Sequence, residues 1–115
     1  MAGHGDFVDF VAEQMAFVDG LRIRAMFGGC GIYLDDCMFA LIADDRLYFK
    51  ADGVTRSEFE VLGLRPFSYA ARGRRVTLQY YEAPAEVFES QDAMRSWVRK
   101  AQETALKAAQ GRRKA

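Results

Sequence analysis

The chain has 115 residues, half of them hydrophobic, and a formal net charge of zero. That suits one domain with a real core, and it excludes a disordered chain or one whose apolar runs could cross a bilayer as helices. The zero hides an asymmetry: residues 1–94 carry 9 Lys or Arg against 15 Asp or Glu, while residues 95–115 carry 7 against the single Glu103.

The first six residues, Met1-Ala2-Gly3-His4-Gly5-Asp6, lack the basic and then apolar order of a secretory leader, so a cytoplasmic protein is expected. Residues 6–18 set Phe7, Phe10, Val11, Met15 and Val18 at helical spacing, with Asp6 as N-cap and Gly20 beyond the end. In residues 21–27, Leu21, Ile23 and Ala25 alternate with Arg22, Arg24 and Met26, which predicts a strand with one solvated face. Gly28-Gly29 then allows a tight bend at positive φ.

Three further strands follow at 31–34, 37–43 and 46–50, with Asp35-Asp36 and Asp44-Asp45 as turns that accept backbone hydrogen bonds. The third strand is apolar on both faces and belongs in the middle of a meander. A short helix is predicted over 52–62, started by Asp52 or Thr55 and followed by Gly63. Pro66 keeps the segment around Phe67 and Tyr69 out of a central strand, as an irregular or edge segment. Residues 74–81 alternate as a strand, with Val76, Leu78 and Tyr80 opposite Arg75, Thr77, Gln79 and Tyr81. Pro84 breaks the chain. A long last helix, capped by Ser90 or Asp92, buries Met94, Trp97, Val98, Ala101, Ala105 and Ala108 along one stripe. The sum is an α+β fold: a two-layer domain over residues 1–110, its antiparallel meander flanked by N-terminal, middle and C-terminal helices, and a disordered basic tail over 111–115.

Catalytic chemistry has few candidates. His4 is the single histidine and sits in the leader, so it supplies neither a triad nor, with two cysteines, a zinc site. The glycines at 28, 29 and 31 lack the lysine and helix of a phosphate loop. A two-residue turn at Asp35-Asp36 sets Leu34 opposite Cys37 and Cys30 opposite Leu41, too far apart for a disulfide, and free thiols are expected. No catalytic, cofactor-binding or metal-binding residue is expected.

Tyr33, Tyr48, Phe49 and then Phe67, Tyr69, Tyr80, Tyr81 form two aromatic groups, the second close to Arg72, Arg74 and Arg75. Rings on a sheet beside arginines could stack single-stranded bases, serve a protein interface, or fill the core between sheet and helices. The basic C-terminal segment could meet phosphate or an acidic protein, or form a solvated helix end whose cations suit the helix dipole.

Several short motifs stand in one order: Met26-Phe27-Gly28-Gly29 with Gly31, Tyr33 and Asp35; Phe39-Ala40; Leu47-Tyr48-Phe49-Lys50 with Asp52; Gly63, Pro66-Phe67 and Tyr69; Tyr80-Tyr81 with Pro84; and Trp97 before an alanine-rich helix. In these the chain resembles the N-terminal domain of the TfoX/Sxy family of competence regulators, in a stand-alone form. The resemblance implies an α+β regulatory module without catalytic residues; longer members carry a C-terminal helical domain and act with the cyclic-AMP receptor protein on DNA-uptake genes. The expected function is therefore non-enzymatic regulation of transcription or competence through a protein partner in the transcription machinery, with a homodimer formed at the 21–27 edge or around Phe67 and Tyr69. Direct nucleic-acid binding through Arg72, Arg74, Arg75 and the basic tail is the second reading. No membrane partner is expected.

Overall fold

The computed structural model describes residues 5–26 and 28–114; His4, Phe27 and Ala115 lie outside it. Its elements are α1 (Gly5–Gln14), β1 (Arg22–Met26), β2 (Gly29–Leu34), β3 (Cys37–Ala43), β4 (Arg46–Lys50), α2 (Arg56–Glu60), β5 (Pro66–Ala71), β6 (Arg74–Glu82), a 3-10 turn (Ala85–Phe88) and α3 (Gln91–Lys114). The strands form one antiparallel sheet in the order β1-β2-β3-β4-β6-β5. The α+β architecture read from the sequence is therefore the one observed, with β1 and β5 at its edges.

Turn chemistry sets the meander. Gly28 has φ of +77°, a conformation that costs a residue without a Cβ nothing. Asp35-Asp36 lies at φ of 51° and 63°, and Asp44-Asp45 at 52° and 57°. Two consecutive left-handed residues give the turn twist that suits a two-residue hairpin. These aspartates are thus chosen for their tolerance of positive φ, beyond the hydrogen-bond acceptance that the sequence suggested.

One register expectation fails. Leu34 does face Cys37, but Cys30 faces Ile42 rather than Leu41. Ile32 pairs with Ala40 and Tyr33 with Met38, so Phe39 is an extra residue on β3. Such a bulge puts neighbours on one side of the sheet. Phe39 and Ala40 accordingly both enter the core cluster under the helices. Cys30 and Cys37 form no disulfide with each other.

The helices all lie on one face. Val8, Val11 and Met15 come from α1 and the turn after it, Phe59 from α2, and Met94, Val98, Ala101 and Ala105 from α3; they pack on Ile32, Ala40, Ile42, Leu47, Phe49 and Tyr81. The helix read over 6–18 ends at Gln14 and tightens into turns, where the Val18 N–H donates to the Met15 carbonyl at 2.9 Å. Its inward stripe is Val8–Val11–Met15, while Phe10 remains 41 % exposed against Phe88. Trp97 is half-buried at the flank of the stripe, and Thr104 is buried in it, donating to the Lys100 carbonyl. The α3 backbone stays helical over residues 111–114, where the sequence suggested disorder.

The entry to α2 is held by one carboxylate. Asp52 Oδ1 accepts from the N–H of Thr55 at 2.8 Å and of Val54 at 2.9 Å, and Thr55 Oγ1 accepts from the Asp52 N–H at 3.0 Å. The Thr55 N–H above all holds the Asp52 carboxyl below its usual pKa. A lowered folded value means stability that is complete above the unfolded value of about 3.9 and lost as acid passes the lower folded value. Asp52→Ala should therefore cost about 1 kcal/mol in denaturant titrations at pH 6 and less in strong acid, where the carboxylate is protonated. An equal difference at both pH values would show that the charge is irrelevant there.

Candidate functional site

With three helices on one face, the other face of the sheet is left to strand residues. A second apolar cluster gathers there: buried Leu41, Tyr48 and Tyr80, with Met38, Ala43, Phe67 and Leu78 packed against them. Every member belongs to a strand, so among the described residues no helix covers this cluster. Tyr80 runs across the face and donates its hydroxyl to the Met38 carbonyl at 2.8 Å. Tyr48 meets Phe67 edge-on at 5.2 Å, and Phe67 stacks on Tyr69 at 5.9 Å.

The β5–β6 hairpin gives the face its relief. Pro66 pairs with Tyr81 but Ser68 pairs with Thr77, so β6 spends two more residues than β5 over this stretch. Extra residues bend a strand. Phe67, Tyr69 and Leu78 consequently share a cleft of about 290 Å³ with Met26, Leu41 and Ala43 from the meander. Beside the cleft, residue 31 is glycine, and the space over it is taken by three side chains. A Cβ there would lie 2.7 Å from the Met38 sulfur, 2.9 Å from the Met26 sulfur and 2.9 Å from the Tyr33 ring. Three adaptable or flat side chains thus converge over Gly31. Soft methionines beside aromatic rings suit a surface that must adapt to a partner.

Cations frame this apolar floor. The Arg24 guanidinium stands 5.4 Å from the centre of the Tyr33 ring, and the Lys50 ammonium 5.0 Å from that of Tyr80. Arg72 and Gly73 make the hairpin turn at φ of 53° and 77°, with Arg74 and Arg75 after them; all three arginines are exposed. The described residues form two ion pairs, Arg46–Glu82 and Lys100–Glu58, so neither Arg22, Arg24 nor the arginines of the hairpin turn has a carboxylate partner among them.

The structure divides the aromatic residues by face and not by their grouping along the chain. Phe49 and Tyr81 belong to the helix-side core. Tyr48, Phe67 and Tyr80 belong to the open face, and Tyr33 and Tyr69 are half-buried beside it. Ala101 and Ala105 hold α3 against the helix-side core, while the β5–β6 hairpin packs on the open-face cluster. The sequence reading set Met26 beside Arg22 and Arg24 but gave Met38 and Leu41 no face. Their parity relative to Arg24 and Tyr33 was the available signal, and the bulge at Phe39 obscures it.

No reactive constellation accompanies the cleft. Among the described residues no group of three His, Cys, Asp or Glu could hold a metal. Cys30 touches the cleft, but burial pushes its thiol pKa up, away from the thiolate that a nucleophile needs. Tyr48 and Tyr81 are also pushed up, chiefly by burial, and serve as packed rings. No described helix is long and apolar enough to cross a membrane.

Comparison with known proteins gives one consistent result. The chain is 36% identical to the DNA transformation protein TfoX1 of Aliivibrio fischeri over 87 residues, 76% of this chain and 39% of that protein. It is 30% identical to protein Sxy of Escherichia coli over 81 residues, 69% of this chain and 38% of that protein. The chain thus spans about two fifths of the length of these relatives. The TfoX N-terminal domain matches residues 13–105, from the end of α1 to the buried turns of α3, and the chain belongs to that family.

Proposed function

We propose that this domain is a non-enzymatic, cytoplasmic regulatory module that acts in the control of competence by binding a protein of the transcription machinery through its open sheet face. The likeness to a DNA transformation protein over three quarters of the chain carries the reading. The open face supports the mode of action, because its methionines, aromatic rings and arginines have the composition of a protein contact surface. The test compares DNA-uptake transcripts and transformation frequency in cells with the wild-type chain, without it, and with Tyr33→Glu, whose fold is checked by circular dichroism. Loss in both altered strains is expected. Unchanged transcripts in the deletion strain would end the competence reading, and a normal Tyr33→Glu strain would end the assignment of the face.

Direct nucleic-acid binding has one observation of its own: Arg72, Arg74 and Arg75 are exposed together at a hairpin turn with no carboxylate partner among the described residues. It requires binding of labelled DNA that weakens steeply with salt, since phosphate contacts release counterions. Absence of a salt-dependent shift would dismiss it.

A further inference from the structure

The edge strand β1 combines three features that together describe a ligand. It pairs with β2 on one side only, so every second residue turns its N–H and C=O outward, ready for another strand. It is straight by its register, Arg22 to Met26 pairing with Tyr33 to Gly29 without a shift, and it contains no proline. The usual devices that blunt an edge by bulge or proline are therefore missing from it.

Its side chains add a sign. Ile23 packs against the helix-side core, which places Arg22, Arg24 and Met26 on the open face. Arg22 and Arg24 are exposed, lack a carboxylate partner among the described residues, and lie in the part of the chain where acidic residues outnumber basic ones. Arg24 is already oriented by the Tyr33 ring. A strand laid beside β1 would set its same-face residues directly across from these two arginines. Carboxylates at alternate positions would complement them. A second copy of β1 meets an obstacle, because two-fold pairing centred on Ile23 sets Arg22 against Arg24, and centring on Arg24 sets that residue against itself.

We propose that the outer edge of β1 takes up an extended acidic segment of a partner protein as a seventh strand, with carboxylates at alternate positions meeting Arg22 and Arg24. This rests on the reading that the domain works through protein contacts, and it names the chemistry of the partner. Main-chain hydrogen bonds would supply affinity and the arginine pair the choice of segment.

The full chain is titrated into a fluorescently labelled ten-residue peptide of alternating Glu and Thr, the same peptide with Lys for Glu, and an oligothymidine of equal length. Hydrogen exchange of the β1 amides is followed in parallel. The Glu peptide should bind, the Lys peptide should not, and the β1 amides should become protected. The double variant Arg22→Glu, Arg24→Glu, with both changes at exposed positions, should lose about tenfold in affinity for the Glu peptide and invert the preference. Absence of Glu-peptide binding, equal binding of both peptides, binding to oligothymidine alone, or binding that leaves β1 unprotected would each overturn the proposal. So would β1 amides already protected in a dimer of the free chain. If the Tyr33→Glu strain loses regulation while the Glu peptide fails to bind, the contact face stands and the acidic strand falls.

Discussion

Gly29→Ala is expected to lower stability by about 3 kcal/mol or more, although it adds a single methyl group. A Cβ at Gly29 would sit 2.0 Å from the Ile42 carbonyl oxygen and 3.1 Å from its carbon. Both obstacles are backbone atoms of β3, a strand held by β2 on one side and β4 on the other. No rotamer change relieves such a clash; the strands must separate, and ladder hydrogen bonds are lost with them. The neighbouring Gly28 is glycine for a different reason. Space is open around it, and its φ of +77° is the constraint, so Gly28→Ala should cost only about 1 kcal/mol. Urea titrations of the two variants check the contrast, with the shift in midpoint read at constant slope. A Gly29→Ala loss below about 1 kcal/mol would mean that β2 and β3 are not in this close approach.

The ease with which this fold can be read from the sequence follows from how locally its elements are determined. Strands β3 and β4 coincide with their sequence-based bounds because paired aspartates mark the turns and continuous apolar runs fill the intervals. Asp52 and Thr55 announce α2 by reciprocal bonds that involve only neighbours in the chain. What escaped the sequence depends on distant partners. The bulge at Phe39 appears only when β3 is laid against β2, and it decides that Phe39 and Ala40 both point to the helices. The bend of β6 is likewise visible only against β5, and it brings Leu78 over Leu41. The open face is built on those two irregularities. Its rings were visible as residues, but their division between core and surface was not, since both faces of the central strands are apolar.

The second large effect is expected at Phe49, and it separates size from position among the aromatic residues. Phe49 is fully buried at the middle of the sheet, opposite Ala40 on one neighbouring strand and Tyr81 on the other. Phe49→Ala removes most of a ring from a place where strands on both sides prevent collapse, and it should cost about 3–5 kcal/mol. Trp97 is the larger side chain, and a buried position for it would imply the same penalty. Its indole instead lies half-exposed at the flank of α3, 5.1 Å from the Phe59 ring, with its N–H donating to Glu86 Oε2 at 2.7 Å and the Lys100 ammonium 4.5 Å above it. Truncation there opens onto solvent, so water fills part of the space and no dry cavity forms. Trp97→Ala should cost about 2 kcal/mol, chiefly through lost contact with Phe59 and the unpaired Glu86. The two variants are compared by urea denaturation, with tyrosine fluorescence or far-ultraviolet dichroism as the signal because the single tryptophan is one of the sites changed. Equal losses, or a greater loss at Trp97, would place the tryptophan inside the core and shift the helix stripe onto it.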